Sequence, residues 1–262
     1  MRLTFIFVLT FYALTALSAD LSGPWIKTKS HRIILFTRPK NYSKTVSPDS
    51  TAIKKILQEQ EKVIDYINEA LKTDFRSKVK IYLLNFDEAK AKIGTNGGGF
   101  CSPKKKRIYF TFYNLQFYNT IRDQDEYIGV HEMVHLITKY ELGMPNSRFF
   151  GEGYANAVEG NYGSKNIDGH YIKKRNDSTL QEYRRQGKVL TPSELLFNDS
   201  IREREYYPQI GSLITWLFKE YGVGKINQLY TLEKNQIENG FYRVTGDSFK
   251  AIDEKYMKSL NP

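Results

Sequence analysis

Residues 131–135 read His-Glu-Met-Val-His, and this spacing constrains the fold more than any other stretch of the chain. Two histidines four residues apart on an α-helix differ by about 40° around its axis, so both imidazoles leave the same face. Imidazole is a good zinc ligand, and two of them fill half of a tetrahedral shell. Glu132 follows the first histidine directly, where its carboxylate can reach a water at such a site and act as general base. The chain contains four histidines, and two of them are here. A composition of this kind yields the pattern by chance only roughly a few times per thousand chains.

A catalytic zinc site needs a third protein ligand and one open position. Downstream runs Arg148-Phe149-Phe150-Gly151-Glu152-Gly153-Tyr154-Ala155. Together the two segments resemble the gluzincin metallopeptidases. Within these they are most similar to bacterial peptidase-MA-like domains, in which an aromatic residue shortly precedes Glu-Gly-x-Ala. The resemblance implies that Glu152 completes a shell with His131 and His135 around one Zn2+ per chain. It implies a peptide or protein substrate, hydrolysed by a zinc-activated water with Glu132 as base. The metzincin pattern would require glycine at position 138 and histidine at 141; Thr138 and Glu141 exclude it.

The resemblance covers roughly residues 30–225 and carries further expectations. Tyr206-Tyr207-Pro208-Gln209-Ile210-Gly211 is similar to a segment in which a tyrosine precedes a glycine and a long helix. This implies Tyr207 as the donor to the oxyanion, with Tyr206 and His170 as alternatives. Gluzincins bind peptides along an edge strand upstream of the zinc helix, which implies a substrate strand at Gly98, Gly99 and Phe100. Glycine in an edge strand lets a second backbone approach closely. Asn156 and Glu159 lie four and seven residues after Glu152, on its helix face. Either one can orient a ligand histidine, and the sequence leaves that choice open.

The first residues read as a secretory signal. Arg2 supplies a positive start, residues 3–16 are apolar apart from threonine, and Leu17-Ser18-Ala19 offers small residues for cleavage before Asp20. The expected organisation is a signal peptide over residues 1–19 and one catalytic domain over 20–262. That domain comprises a sheet lobe with the zinc helix at about 30–145 and a helical lobe at about 146–262. The protein is therefore expected to be exported, to a periplasm or beyond. No transmembrane segment is expected after cleavage, since no other stretch is apolar over a spanning length. Cys101 is the only cysteine, which excludes an intrachain disulfide and a cysteine-rich zinc site.

The net charge is +10, which favours anionic surfaces or substrates. The densest basic run, Lys104-Lys105-Lys106-Arg107, follows Ser102-Pro103 and reads as a hairpin tip rather than a nucleic-acid patch. The tyrosines are not interleaved with it, so a stacking platform for single strands is not indicated. Two other classes compete with the peptidase: a catalytically silent binding module of the same fold, and a basic surface-binding protein with incidental histidines. The intact Glu132 argues against the silent module.

Apolar periodicity and turn residues predict the elements. Strands are expected at residues 32–37 and 79–84, near Gly97–Phe100, and at 108–113. A helix opens at Ser47-Pro48 and carries Ile53, Ile56, Leu57, Val63, Ile64, Ile67 and Leu71 on one face. The zinc helix is expected from about Asp123 to Leu142, and a second helix capped by Asn146 or Ser147 presents Glu152. Residues 162–177 read as irregular. Later helices are expected at 180–185, after Thr191, and at 209–221, 225–232 and 247–260. Strands followed by helices make this an α+β fold, and the resemblance implies the two-lobed gluzincin form of it, with a mixed sheet.

Overall fold

The computed structural model describes residues 23–39, 48–84, 88–89, 99–111, 129–167 and 170–260. The signal segment and Gly98 lie outside the described residues. The fold is α+β, built from a mixed five-stranded sheet, a two-stranded hairpin and a predominance of helix. The elements divide into two compact units. One comprises residues 1–61 and 78–119; the other comprises 62–77 and 120–262.

The first unit holds the sheet, in the order β1-β2-β3-β5-β4. Its strands are β1 (Ile26–Lys29), β2 (Ile33–Thr37), β3 (Val79–Leu84), β4 (Gly99–Ser102) and β5 (Arg107–Thr111). β2, β3 and β5 run parallel, and the outer strands β1 and β4 are antiparallel to their neighbours. Alternation places Ile33, Leu35, Val79, Ile81 and Ile108 on the buried face, each fully excluded from solvent. The opposite face carries a register row, Phe36–Tyr82–Tyr109–Phe100. These rings are spent on one another: Phe36 and Tyr82 stack at 4.4 Å and 4°. β4 and β5 are joined by a 3₁₀ turn, Pro103–Lys105, which confirms the lysine run as a hairpin tip. Strand β1 was not expected from the sequence, because four residues with a mostly exposed pattern give no periodic signal.

Helix α1 (Ser50–Leu71) matches its predicted stripe, with Val63, Ile64, Ile67 and Leu71 fully buried. The boundary between the units falls within it, after Glu61. Glu61 itself ties α1 to the sheet. One carboxylate oxygen accepts from the Ser30 hydroxyl and the Arg32 backbone N–H, each at 2.6 Å. The other accepts from Arg32 Nε at 2.7 Å.

The second unit is mainly helical: α2 (Val130–Glu141), α3 (Arg148–Glu159), α4 (Asn176–Arg185), α5 (Pro192–Phe197), α6 (Glu203–Tyr221), α7 (Val223–Asn227), α8 (Ile237–Thr245) and α9 (Phe249–Ser259). The zinc-motif helix α2 thus lies in the helical unit, whereas the sequence reading assigns it to the sheet lobe. It begins at Val130 rather than near Asp123, because Gly129 caps it at φ 71°, a left-handed conformation no helix continues through. The segment 162–177, read as irregular, instead forms a hairpin of β6 (Asn161–Ile167) and β7 (His170–Arg175), leading directly into α4. Its strands are too polar to show an apolar alternation, so backbone pairing alone reveals them. None of the helices among the described residues is long and apolar enough to cross a membrane.

The Glu61 anchor yields the first prediction. Burial opposes ionisation of Glu61, but its bonds to Ser30 and Arg32 outweigh burial and hold its pKa below the ordinary value of 4.5. A depressed carboxylate stabilises the fold above its unfolded pKa and loses that contribution as pH falls through the folded one. Glu61→Gln is expected to cost about 1–2 kcal/mol at neutral pH, the lower part of the range for charged hydrogen bonds because solvent partly screens the pair. Urea unfolding at pH 7 and below pH 4 checks this: the difference from the unmodified chain should shrink in acid, and a difference independent of pH would refute the assignment.

Candidate metal centre

Three side chains on two helices converge in the second unit. His131 and His135 project from α2, and Glu152 from α3; their ligand atoms all lie within 4.8 Å of one another. His131 Nε2 and His135 Nε2 are 3.2 Å apart. Glu152 Oε2 lies 3.3 Å from His131 Nε2, and Oε1 lies 3.7 Å from His135 Nε2. A tetrahedral ion with bonds of about 2.0–2.1 Å separates its ligand atoms by about 3.3 Å. The nearest donor pairs, 3.2–3.7 Å apart, are compatible with one shared ion. Glu152 Oε2 is buried, and its nearest polar neighbour is His131 Nε2. Two imidazoles and a carboxylate suit a divalent ion of borderline softness.

Local sequence explains how each ligand is placed. On α2, Met133, Val134, Leu136 and Ile137 are fully buried and leave the histidine face partly open. The His131 and His135 side chains are 20 % and 21 % exposed, enough for an ion to enter a largely desolvated site. On α3, Ser147 is the N-cap and accepts from the Phe150 N–H. Gly160, left-handed at φ 74°, ends the helix. Phe150 and Tyr154 bury the opposite side, and Phe149 and Ala155 are buried on its flanks.

Two glycines set the depth of α3. A Cβ on Gly153 would stand 2.7 Å from Ile214 Cγ1 on α6, and one on Gly211 would stand 2.9 Å from Asn156 Cβ on α3. Glycine at both positions lets α3 and α6 cross closely, which gives the Glu-Gly-x-Ala pattern a packing reason. Buried hydroxyls then fix the helices to their neighbours. Tyr230 donates to Thr138 Oγ1 of α2 at 2.8 Å, and Tyr154 of α3 donates to Asn227 Oδ1 at 3.1 Å. Asn227 in turn donates to the Leu71 carbonyl at the end of α1.

The residue that orients the first histidine is Glu159. Its Oε2 lies 3.4 Å from His131 Nδ1, on the ring edge away from the other ligands. The Asn156 side-chain amide donates instead to the Glu152 main-chain carbonyl. A carboxylate behind a ligand histidine fixes the ring and raises its basicity.

Burial opposes protonation of His131, but the Glu152 and Glu159 carboxylates outweigh it and raise its pKa to about 10. His135 is pushed down to about 4, by burial first and by the charge on His131 second. Burial alone would raise Glu152, yet His131, His135 and Arg148 bring it below its ordinary value. The Glu152 and Glu159 carboxylates both favour a proton on His131. A metal ion displaces that proton, so affinity falls as pH falls.

Glu132 is half-buried beside His131, and its charge contributes to the raised pKa of that imidazole. Tyr207 faces the site, with its ring 6.2 Å from the His131 ring. Its pKa is raised, by burial first and by the Glu152 charge second, so its hydroxyl remains a hydrogen-bond donor at neutral pH. Tyr206 is only 2 % exposed and is core packing. His170 lies at the start of β7, and its side chain is outside the described residues. Gly99 and Phe100 lie on β4, an edge strand of the sheet in the other unit. The sequence reading gave Arg148 no role, although it lies one turn before Glu152 on the same helix face, where a charged residue acts on the ligand.

Neither protein-family models nor curated proteins match this chain.

The centre predicts metal behaviour directly. The folded chain should take up about one divalent ion, and His131→Ala or His135→Ala should abolish stoichiometric uptake. Glu159→Gln should keep the stoichiometry and weaken affinity about 10–100-fold, as loss of a ligand-orienting carboxylate does. Metal analysis and competitive titration against a chelator check both. Full affinity in Glu159→Gln would remove its orienting role.

Proposed function

We propose that this protein is an exported zinc metallopeptidase of two-lobed gluzincin type, hydrolysing peptide bonds in peptides or proteins. The observation that carries this reading is the meeting of His131, His135 and Glu152 with Glu132 directly beside them. Two histidines and a glutamate are the ligand set of zinc peptidases, leaving one position open. When bound there, zinc supplies Lewis acidity toward a water and toward the scissile carbonyl.

The remaining chemistry belongs to the chain. The Glu132 carboxylate accepts a proton from the attacking water and delivers it to the departing amine nitrogen. The Tyr207 hydroxyl donates to the carbonyl oxygen as that oxygen gains charge. Glu159 holds the His131 ring in position through Nδ1. A substrate strand at Gly98, Gly99 and Phe100 is the substrate-binding part of the proposal; Gly99 and Phe100 lie on β4.

Glu132→Gln keeps the side-chain size and all three ligands. Zinc should remain bound while peptide cleavage falls by orders of magnitude. Tyr207→Phe should lower kcat about 10²-fold with a smaller change in KM, since its contact forms mainly in the transition state. Peptide mixtures screened with the zinc-loaded protein supply the substrate. Near-normal turnover by Glu132→Gln would refute the mechanism, and stoichiometric zinc without any cleavage would favour a silent binding module.

Export rests on the apolar residues 3–16 and the small residues before Asp20. Mass spectrometry of the protein recovered outside the cytoplasm should place its N-terminus near Asp20, and a chain still beginning at Met1 would count against cleavage.

A further inference from the structure

The start of α6 carries Tyr206 and Tyr207, and the N–H groups of Glu205 and Tyr206 both donate to the Arg202 carbonyl at 2.9 Å. The N-cap position is Arg202, which makes no side-chain capping bond. Pro208 stands inside the helix, and proline has no N–H to donate to the carbonyl four residues earlier. That carbonyl, on Arg204, is met from outside by the Tyr183 hydroxyl at 2.9 Å. Helix bonds fix the backbone here, and the direction of the tyrosine rings is set by what packs against them.

Arg148 packs against them. The centre of its guanidinium lies 4.1 Å from the Tyr206 ring centroid and 5.3 Å from that of Tyr207. Its Nη1 donates to the Ile201 carbonyl at 3.1 Å, just ahead of α6. Its charge also reaches the Tyr207 hydroxyl, where it offsets part of the rise in that group's pKa, and the ring faces lie within cation–π distance of the guanidinium. Arg148 also sits one turn before Glu152 on α3. One rigid helix therefore places a metal ligand and the clamp on the tyrosine turn.

We propose that Arg148 is a positioning residue: by stacking on Tyr206 and Tyr207 and bonding the Ile201 carbonyl, it holds the Tyr207 ring against His131. The consequence for catalysis rests on the peptidase reading; the placement of the ring does not. Lysine cannot substitute, because its ammonium lacks the planar surface that stacks on two rings.

The test uses the full chain and reads the histidine ring signals by NMR, which is tractable with four histidines in the sequence. In the metal-free protein, Tyr207→Leu removes the ring beside His131 and shifts the His131 signal. Arg148→Lys keeps the charge, so a shift of His131 in the same direction reports ring placement rather than electrostatics. The proposal expects that shift in Arg148→Lys and in Arg148→Met; an unmoved His131 signal in folded Arg148→Lys overturns it. On a peptide that the zinc-loaded wild type cuts, Arg148→Met should lower kcat at least about 10-fold with little change in KM. Added to Tyr207→Phe, it should cost nothing further, because the two act as one unit. Losses that multiply in the double variant overturn the proposal. A wild type inert toward peptides would instead count against the peptidase reading and leave the NMR result standing.

Discussion

Three groups that repel apolar surroundings are held together here in a largely desolvated place. Two imidazoles and a carboxylate within 4.8 Å cost desolvation energy unless something charged satisfies them. The protein meets part of that cost with a second carboxylate, Glu159, 3.4 Å from His131 Nδ1. Much of the surrounding structure serves to keep those atoms from moving apart.

That work falls to the crossing of α3 with α6. Gly153 and Gly211 remove the side-chain atoms that would otherwise prop the helices apart. The close approach sets Glu152 opposite α2 and brings the start of α6 to the same place, so Tyr207 reaches the His131 ring. Hydroxyl bonds from Tyr230 to α2 and from Tyr154 to Asn227 then fix the helices without a disulfide. Interiors packed this tightly transmit small displacements, so a change at Gly153 would be felt at the metal centre.

Much of this was legible in the chain. The His-Glu-Met-Val-His spacing places the two candidate histidines on one face, because a helix does so without help from the rest of the fold; Glu152 was legible only through the resemblance of its Glu-Gly-x-Ala segment. The amphipathic stripe of α1, the alternating strands β2 and β3, and the lysine hairpin tip were readable for the same local reason. The hairpin of β6 and β7 was not, since polar strands carry no apolar period. The start of α2 was missed because acidic residues upstream suggested an N-terminus, whereas the left-handed Gly129 supplies the actual one.

By itself, then, the sequence determined which residues share a helix face: His131 with His135, and Arg148, Glu152 and Glu159 along α3. Only the tertiary structure decided which of those faces meet. It put Glu159, not Asn156, beside His131, brought the Tyr207 ring within 6.2 Å of the His131 ring, and made Arg148 a neighbour of both tyrosines. The reason is physical. Periodicity fixes directions within one helix, but the distance between two helices depends on the side chains missing at their crossing, and that quantity belongs to the pair.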